Sequence, residues 1–128
     1  MKRLHGKTAI VTGGGGGICS AICRTFAREG ASVVVADFNL DLAETVARSI
    51  GEQGGAAVAC QVDVGDKQSA YGLIDTCARE FGRVDILVNG AGISINELFV
   101  DTSLEDWERV QRVNLTGAFL CGQAAARM

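Results

Sequence analysis

Five consecutive glycines, Gly13 to Gly17, are the most unusual feature of this sequence. They follow a short run rich in β-branched residues, Thr8 to Thr12, and precede a stretch in which apolar residues recur at helical spacing. Glycines at such a junction allow a sharp turn and expose backbone N–H groups, which bind phosphates at the positive end of the following helix. The pattern predicts a phosphate-binding turn. The alternative is a flexible loop without a ligand.

Asp37 ends a second apolar run, Ser32 to Ala36, about 20 residues after the glycines. A carboxylate at that place accepts hydrogen bonds from ribose hydroxyl groups and repels the extra phosphate of NADP. Neither Phe38 nor Gly16 is basic, so no side chain there favours that phosphate. Asp37 can also cap the next helix, a role compatible with ribose binding. We therefore predict a dinucleotide site that prefers NAD to NADP.

The rest of the chain alternates apolar runs with helical stretches. Two further strands are predicted at residues 56–62 and 84–88, and a last helical region begins at Ser103 and continues to Met128. The order β-α-β-α-β-α-β-α implies right-handed crossovers and a parallel sheet. We predict an α/β fold of the doubly wound Rossmann type, in one domain over residues 1–128. The apolar stripes expected to face the core are Ile18, Ile22, Phe26 and Ala27 in the first helix, Leu42, Val46 and Ile50 in the second, and Ala70, Leu73, Ile74 and Cys77 in the third.

Composition excludes several classes of protein. The 128 residues suit a single globular domain, with 48% hydrophobic and 21% charged residues. A net charge of −3 offers no basic surface to nucleic acid, and no apolar run is long enough for a membrane span or a signal peptide. An odd number of cysteines, five, without a Cys-x-x-Cys spacing and with one histidine predicts reduced thiols, no metal site and a cytoplasmic location. The cysteines are Cys19, Cys23, Cys60, Cys77 and Cys121.

Four segments, in this order and spacing, resemble motifs of the short-chain dehydrogenase/reductase family, classical type, over residues 7–128. TGGGGGIC at residues 12–19 resembles TGxxxGIG, and DV at 63–64 resembles the adenine-contacting Asp segment. NGAG at 89–92 resembles NNAG, and VNLTG at 113–117 resembles VNLxG, which carries the active-site Asn of the family. The resemblance implies hydride transfer between a nicotinamide dinucleotide and an alcohol or ketone. The cofactor-binding residues it implies, with those argued above, are Gly13, Gly15, Gly16, Gly17, Ile18, Asp37, Phe38, Asp63, Val64, Asn89, Ala91 and Gly92.

Several of these residues have a definite role in the family. The resemblance implies that Asp63 accepts a hydrogen bond from the adenine amino group while Val64 offers backbone contacts. It implies that Asn89 lines the crevice and that Asn114 holds a water linked to the catalytic lysine. The alternatives are an Asx turn at Asp63 and a solvated or back-bonding Asn114 within the helix. We expect Trp107 to pack, with no role toward the cofactor.

The sequence departs from the family at three places. Cys19 stands where the last motif glycine is expected, and Gly90 replaces the second Asn of NNAG. The family also needs a Ser and a Tyr followed four residues later by a Lys, which lowers the pKa of the Tyr. Here the residue four positions after the only tyrosine, Tyr71, is Asp75 instead of a lysine. The chain ends about where the Tyr-x-x-x-Lys pair would begin. We therefore expect the N-terminal, nucleotide-binding half, catalytically incomplete alone; the alternatives are a stand-alone NAD-binding or oligomerising module and an unstable remnant.

The predicted sheet has an exposed edge. In the family's strand order a fifth strand pairs with the fourth, so residues 84–88 would form an open apolar edge, which favours pairing with other chains. The last helix adds apolar residues that we expect to lack a partner within the chain: Leu115, Phe119, Leu120 and Ala124 to Ala126. We therefore predict a homo-oligomer or an aggregation-prone chain.

Overall fold

A computed structural model describes all 128 residues and has a four-stranded parallel sheet in the order β3-β2-β1-β4. The strands contain many β-branched and small apolar residues, as is typical of a sheet covered on both faces. All five residues of β1 are buried, whereas none in β3 or β4 is fully buried, because these two form the edges. The strands are β1 Thr8–Thr12, β2 Ser32–Asp37, β3 Ala56–Gln61 and β4 Ile86–Asn89.

Helices connect the strands, and a further helical region follows the last strand. None of the helices is long and apolar enough to cross a membrane. A short 3₁₀ turn, Phe99–Asp101, precedes the last helical region, in which a π-helical turn, Arg112–Thr116, separates two α-helices. The α-helices are α1 Gly17–Arg28, α2 Leu40–Glu52, α3 Lys67–Phe81, α4 Leu104–Gln111 and α5 Gly117–Ala126.

Two hydrophobic cores lie on opposite faces of the sheet, which confirms the predicted doubly wound α/β fold. On one face, α1 and α2 pack against alternate residues of β1 and β2, such as Val11 and Val33. On the other, α3 and α5 pack against residues such as Ile10 and Val34. The predicted apolar stripe of α3 is buried as expected.

Two residues of the predicted stripes face solvent. Ile18 is 82% exposed and Leu42 is 47% exposed, so the prediction that they face the core is wrong. The buried face of α1 contains Cys19 and Cys23 instead of Ile18. In α2 the residue after Leu42, Ala43, is buried. The helical period alone did not distinguish these faces, because small and sulfur-containing residues fill the core where α1 and α2 approach the sheet.

Three cysteines are fully buried in the cores and serve as small apolar residues. Burial raises the pKa of Cys23 to about 12 and that of Cys77 and Cys121 to about 11. All five cysteines are free thiols. The buried ones therefore remain protonated at neutral pH and are poor nucleophiles.

Several large apolar side chains between the 3₁₀ turn and α5 are exposed. Leu115 and Phe119 are exposed, as predicted for residues without a partner in the chain. Leu120 and Ala124 are each 7% exposed and belong to the core under α3, so the expectation that they lack partners is wrong. Trp107 is 55% exposed, so it packs within the chain less completely than expected. We call the exposed set the α4–α5 apolar face: Leu98, Phe99, Val100, Leu104, Trp107, Leu115 and Phe119.

Candidate functional site

A cleft of about 920 Å³ lies beyond the carboxyl ends of β1, β2 and β4. Open parallel sheets bind ligands at this edge, where the strand order reverses. Glycine backbones form much of its wall, and the side chains of Asp37 and Asp63 lie at its rim. Ten of the twelve predicted cofactor-binding residues line it; these are Gly13, Gly16, Gly17, Ile18, Asp37, Phe38, Asp63, Val64, Ala91 and Gly92.

The N-terminus of α1 opens into this cleft without a side-chain cap. Its N-cap residue, Gly16, makes no side-chain hydrogen bond, whereas Asn39, Asp66 and Ser103 cap α2, α3 and α4 through side-chain oxygens. The N–H groups of residues 17–19 have no acceptor in the protein. Uncapped N–H groups at a helix N-terminus, together with the positive end of the helix dipole, form an anion-binding site.

Asp37 is held at the end of β2 by two backbone donors. Its Oδ2 accepts the N–H of Gly15 at 3.0 Å, and its Oδ1 accepts the N–H of Asn39 at 2.9 Å. Gly15 itself does not line the cleft; a Cβ there would lie 2.6 Å from Leu42 Cβ and 3.1 Å from Asp37 Oδ2. Gly15 therefore positions the carboxylate, and the helix cap is Asn39 rather than Asp37.

Asp63 lies at the turn between β3 and α3. Its Oδ1 accepts the N–H of Gly65 at 3.0 Å, which is the Asx turn considered as an alternative. Its carboxylate also forms an ion pair with Arg112 at 3.4 Å, a contact that the sequence did not indicate. The turn leaves the carboxylate on the cleft wall, so an Asx turn and a ligand contact are compatible at this residue.

Asn114 lies in the π turn, and its side chain bonds to the loop after β4. Its Oδ1 accepts the N–H of Ile93 at 2.8 Å, and its Nδ2 donates to the Ile93 carbonyl at 2.9 Å. The side chain therefore does not bond back to its own helix, although the residue is exposed to solvent. The water-holding role that the family resemblance implies stays a prediction. A π turn is a rare element that is frequently found at functional sites.

Asn89 does not reach the cleft. It pairs with Thr12 in the sheet, and its Nδ2 lies 3.4 Å from the Ala118 carbonyl. The hydroxyl of Thr12 organises the turn that follows β4 because its Oγ1 accepts the N–H groups of Gly90 and Ala91 at 3.1 and 3.2 Å. Asn89 thus connects β4 to α5 rather than lining the crevice as expected.

The cleft also contains residues that the sequence analysis missed. Two of them, Arg109 and Arg112, are cationic. They lie four residues and one residue before Val113 of the VNLTG segment, and this closeness to a motif could have indicated them. The remaining ones are Leu42, Val62, Ile93, Ser94 and Val113. Cys19 and Gly90, named above as departures from the motifs, also line the cleft.

Cys19 and Gly90, the two departures within the family motifs, lie against each other. A Cβ built at Gly90 would overlap Cys19 Sγ and would lie 2.6 Å from the Thr12 carbonyl oxygen. The sulfur thus occupies the space that a side chain at residue 90 would need. Burial, and to a smaller extent the charge of Asp37, raise the pKa of the Cys19 thiol, so it fills space as a neutral group.

We expect these two positions to be coupled in stability. Gly90→Ala should lower the free energy of unfolding by about 1–3 kcal/mol, because the added methyl group overfills this space. Cys19→Ala removes the sulfur and leaves its Cβ, which lies 3.6 Å from the new methyl position. The free energy of unfolding of the double variant, measured by urea denaturation, should then exceed the additive expectation by at least about 0.5 kcal/mol. The recovery is partial because the new methyl group still lies close to the Thr12 carbonyl oxygen.

The control for this cycle is Cys23→Ala. The Cys23 thiol is also buried in α1 but contacts Gly14 instead of Gly90. Its combination with Gly90→Ala should be additive. Additivity of the Cys19→Ala pair as well would show that the two departures are independent.

Tyr71 is engaged away from the cleft. Its hydroxyl donates to Gln123 Oε1 at 2.6 Å and accepts from Arg127 at 3.2 Å, which connects α3 to α5. The Lys67 ammonium lies 5.6 Å from the centre of its ring. The only tyrosine is therefore structural here and lies outside the cleft.

The parallel sheet, its strand order and the helices on both faces define an α/β fold of the Rossmann type. A family model described as short chain dehydrogenase matches residues 7–128. The chain therefore belongs to the short-chain dehydrogenase/reductase family, whose members use a nicotinamide dinucleotide, NAD or NADP.

Several similar proteins are named as dehydrogenases. The chain is 41% identical over 125 residues to D-threitol dehydrogenase of Mycolicibacterium smegmatis, covering 98% of this chain and 48% of that protein. It is 43% identical over 124 residues to 7alpha-hydroxysteroid dehydrogenase of Escherichia coli, covering 97% and 48%. The crystal structure of a hydroxysteroid dehydrogenase from Escherichia coli superposes with a TM-score of 0.93 at 42% identity, covering 98% and 53%. The chain thus spans about half the length of these relatives.

Proposed function

We propose that the chain is the nucleotide-binding half of an oxidoreductase that prefers NAD and transfers hydride between the nicotinamide and an alcohol or ketone. The observation that carries this proposal is the uncapped N-terminus of α1, which offers free N–H groups to a glycine-lined cleft. Two phosphates fit such a site, and a dinucleotide extends from it in both directions. The named activities of the relatives support the reaction class.

Within this proposal each wall of the cleft has a separate task. The α1 N–H groups would hold the pyrophosphate, and Asp37 would accept hydrogen bonds from the ribose of the adenosine half. Asp63 and the backbone of Val64 would contact the adenine, and the small residues Ala91 and Gly92 would leave room for the nicotinamide half. When bound, the nicotinamide supplies the carbon that accepts or donates the hydride.

We further propose that this chain alone is catalytically incomplete and works in the cytoplasm. Acid–base catalysis by a positioned group typically supplies 10²–10⁴-fold in rate, and the chain offers no Tyr-x-x-x-Lys pair for it. Free thiols are typical of a reducing compartment. A stand-alone NAD-binding module without catalysis would have the same cleft. Turnover of an alcohol or ketone by a longer protein that contains this chain would distinguish the oxidoreductase from such a module.

The test is to titrate the chain with NAD by calorimetry and to follow reduced nicotinamide by absorbance with alcohol substrates. We expect NAD to bind and no turnover above the buffer rate. Gly17→Asp should weaken binding at least about tenfold, because its carboxylate would face the phosphates. A Cβ at Gly17 meets nothing within 4 Å, and an acid in the first turn favours the helix, so the fold should persist.

Gly72→Asp is the matched control for charge. Gly72 lies in α3, outside the cleft, and a Cβ there also meets nothing within 4 Å. It should bind NAD as the wild type does. Equal affinity in all three proteins would contradict the proposed phosphate site, and turnover by the wild-type chain would contradict catalytic incompleteness.

A further inference from the structure

Arg112 connects the π turn to the β3–α3 turn across the wall of the cleft. It is the first residue of the π turn, and its Nη1 lies 3.4 Å from each carboxylate oxygen of Asp63. Its side chain packs directly on Gly65: a Cβ there would lie 2.6 Å from Nη1 and 2.9 Å from Cγ of Arg112. Any side chain at residue 65 would displace the guanidinium, so this contact depends on the glycine.

The carboxylate of Asp63 is held on one side and free on the other. Oδ1 accepts the N–H of Gly65 at 3.0 Å in addition to Arg112, whereas Oδ2 has Arg112 as its only partner. An ionised carboxylate has about four acceptor sites. Because Asp63 lines the cleft, Oδ2 keeps the capacity to accept a further hydrogen bond from a ligand there.

Gly117, the first residue of α5 and the one directly after the π turn, packs against the same segment. A Cβ at Gly117 would lie 2.6 Å from Val64 Cγ2, so the helix backbone approaches Val64 as closely as Arg112 approaches Gly65. The Asp63–Gly65 segment is thus in contact with the start of the π turn and with the start of α5. Arg112 is the only one of these contacts that is charged, and it acts on the carboxylate itself.

We infer that Arg112 is a positioning residue that orients Asp63 for selection of an amino-bearing purine, adenine, at this end of the cleft. The inference rests on the proposed function, because it takes the ligand to be a dinucleotide. Adenine presents an amino donor to the free Oδ2. Hypoxanthine has a carbonyl oxygen at that place, which cannot donate to a carboxylate. The Gly65 N–H engages Oδ1 and leaves Oδ2 for the base, while Arg112, at 3.4 Å from both oxygens, holds the plane of the carboxylate. Arg112 therefore sets the size of this preference.

The experiment compares NAD with nicotinamide hypoxanthine dinucleotide by calorimetry. The second dinucleotide has a carbonyl oxygen in place of that amino group and a hydrogen on the neighbouring ring nitrogen. We expect the wild-type chain to prefer NAD about tenfold or more, as is typical of a hydrogen bond to a charged group. Arg112→Gln should reduce the preference about three- to tenfold, since it keeps part of the packing on Gly65 and loses the ion pair. A residue with a merely structural role would change both affinities equally and leave their ratio unchanged.

Arg109→Gln is the matched control, because it removes the same charge from the same cleft. Its guanidinium lies 3.8 Å from Asp106 and has no contact with Asp63 within ion-pair distance. Its preference should equal that of the wild type.

If Arg112→Gln also keeps the wild-type ratio, the inference is overturned and the proposed function stands. If the wild type binds neither dinucleotide, the proposed function fails and the inference with it. Should Arg112→Gln not fold, Arg112→Met, which keeps the apolar stem, is measured in the same way and has the same two outcomes.

Discussion

Replacing Asp37 with alanine is expected to lower the preference for NAD over NADP by more than about tenfold. The carboxylate would lose its hydrogen bonds with the ribose hydroxyl groups, each worth about 1.5–3 kcal/mol when one partner is charged. Its repulsion of the extra phosphate of NADP would disappear at the same time. The two effects change the two affinities in opposite directions. Calorimetric titration of each coenzyme against each protein measures them separately.

Two further variants separate charge from geometry at this position. Asp37→Asn keeps an acceptor for the N–H of Gly15 and removes the charge, so NADP should gain affinity while the turn stays in place. Asp41→Ala removes a carboxylate from the first turn of α2 outside the cleft and should leave the preference unchanged. Equal binding of both coenzymes by the wild type, unchanged in Asp37→Ala, would show that Asp37 does not face the ribose.

The wild-type chain is expected to sediment as a dimer or larger species at about tens of micromolar. β4 is an edge strand with half-buried apolar residues, Ile86 to Val88, and its outer backbone groups have no strand partner. Such an edge pairs readily with another chain. The α4–α5 apolar face adds a second surface that favours association. Ile86→Lys places a charge on the edge and should shift the population toward monomer.

Thr45→Lys is the control for added charge, since Thr45 is exposed on α2, away from both surfaces. It should associate as the wild type does. Phe119→Lys tests the apolar face independently of the edge, because Phe119 is 61% exposed on α5. A monomeric wild-type chain that unfolds cooperatively on heating would contradict the expected association altogether.

The sequence predicted the strands, their parallel order and the position of the cleft, because these follow from local signals. Each of these signals can be recognised from a few adjacent residues: the β-branched runs, the glycine turns and the acid at the end of β2. The faces of α1 and α2 were less predictable. Ile18 and Leu42 suited a core stripe by their period, yet both line the cleft, since the close approach of these helices to the sheet admits only small side chains.

Contacts between distant segments could not be predicted in this way. The ion pair of Asp63 with Arg112 joins residues 49 positions apart, and neither residue shows it in its local sequence. The fit of Cys19 against Gly90 was visible only as two separate departures from a motif. Trp107 suited packing by its size, yet it is 55% exposed.

The place of β1 between β2 and β4 has a consequence for the order in which the molecule folds. Thr8 of β1 pairs with Ser32 nearby in the chain, whereas it bonds to Asp85, at the start of the β4 segment, across 77 positions. Closing the longer loop costs about 1 kcal/mol more in chain entropy, and distant pairings form slowly. We therefore expect the glycine turn and Asp37 to belong to an early-folding unit, and the wall carrying Ala91 and the π turn to join late. A nascent chain would hold a phosphate-binding turn before it has a complete cleft.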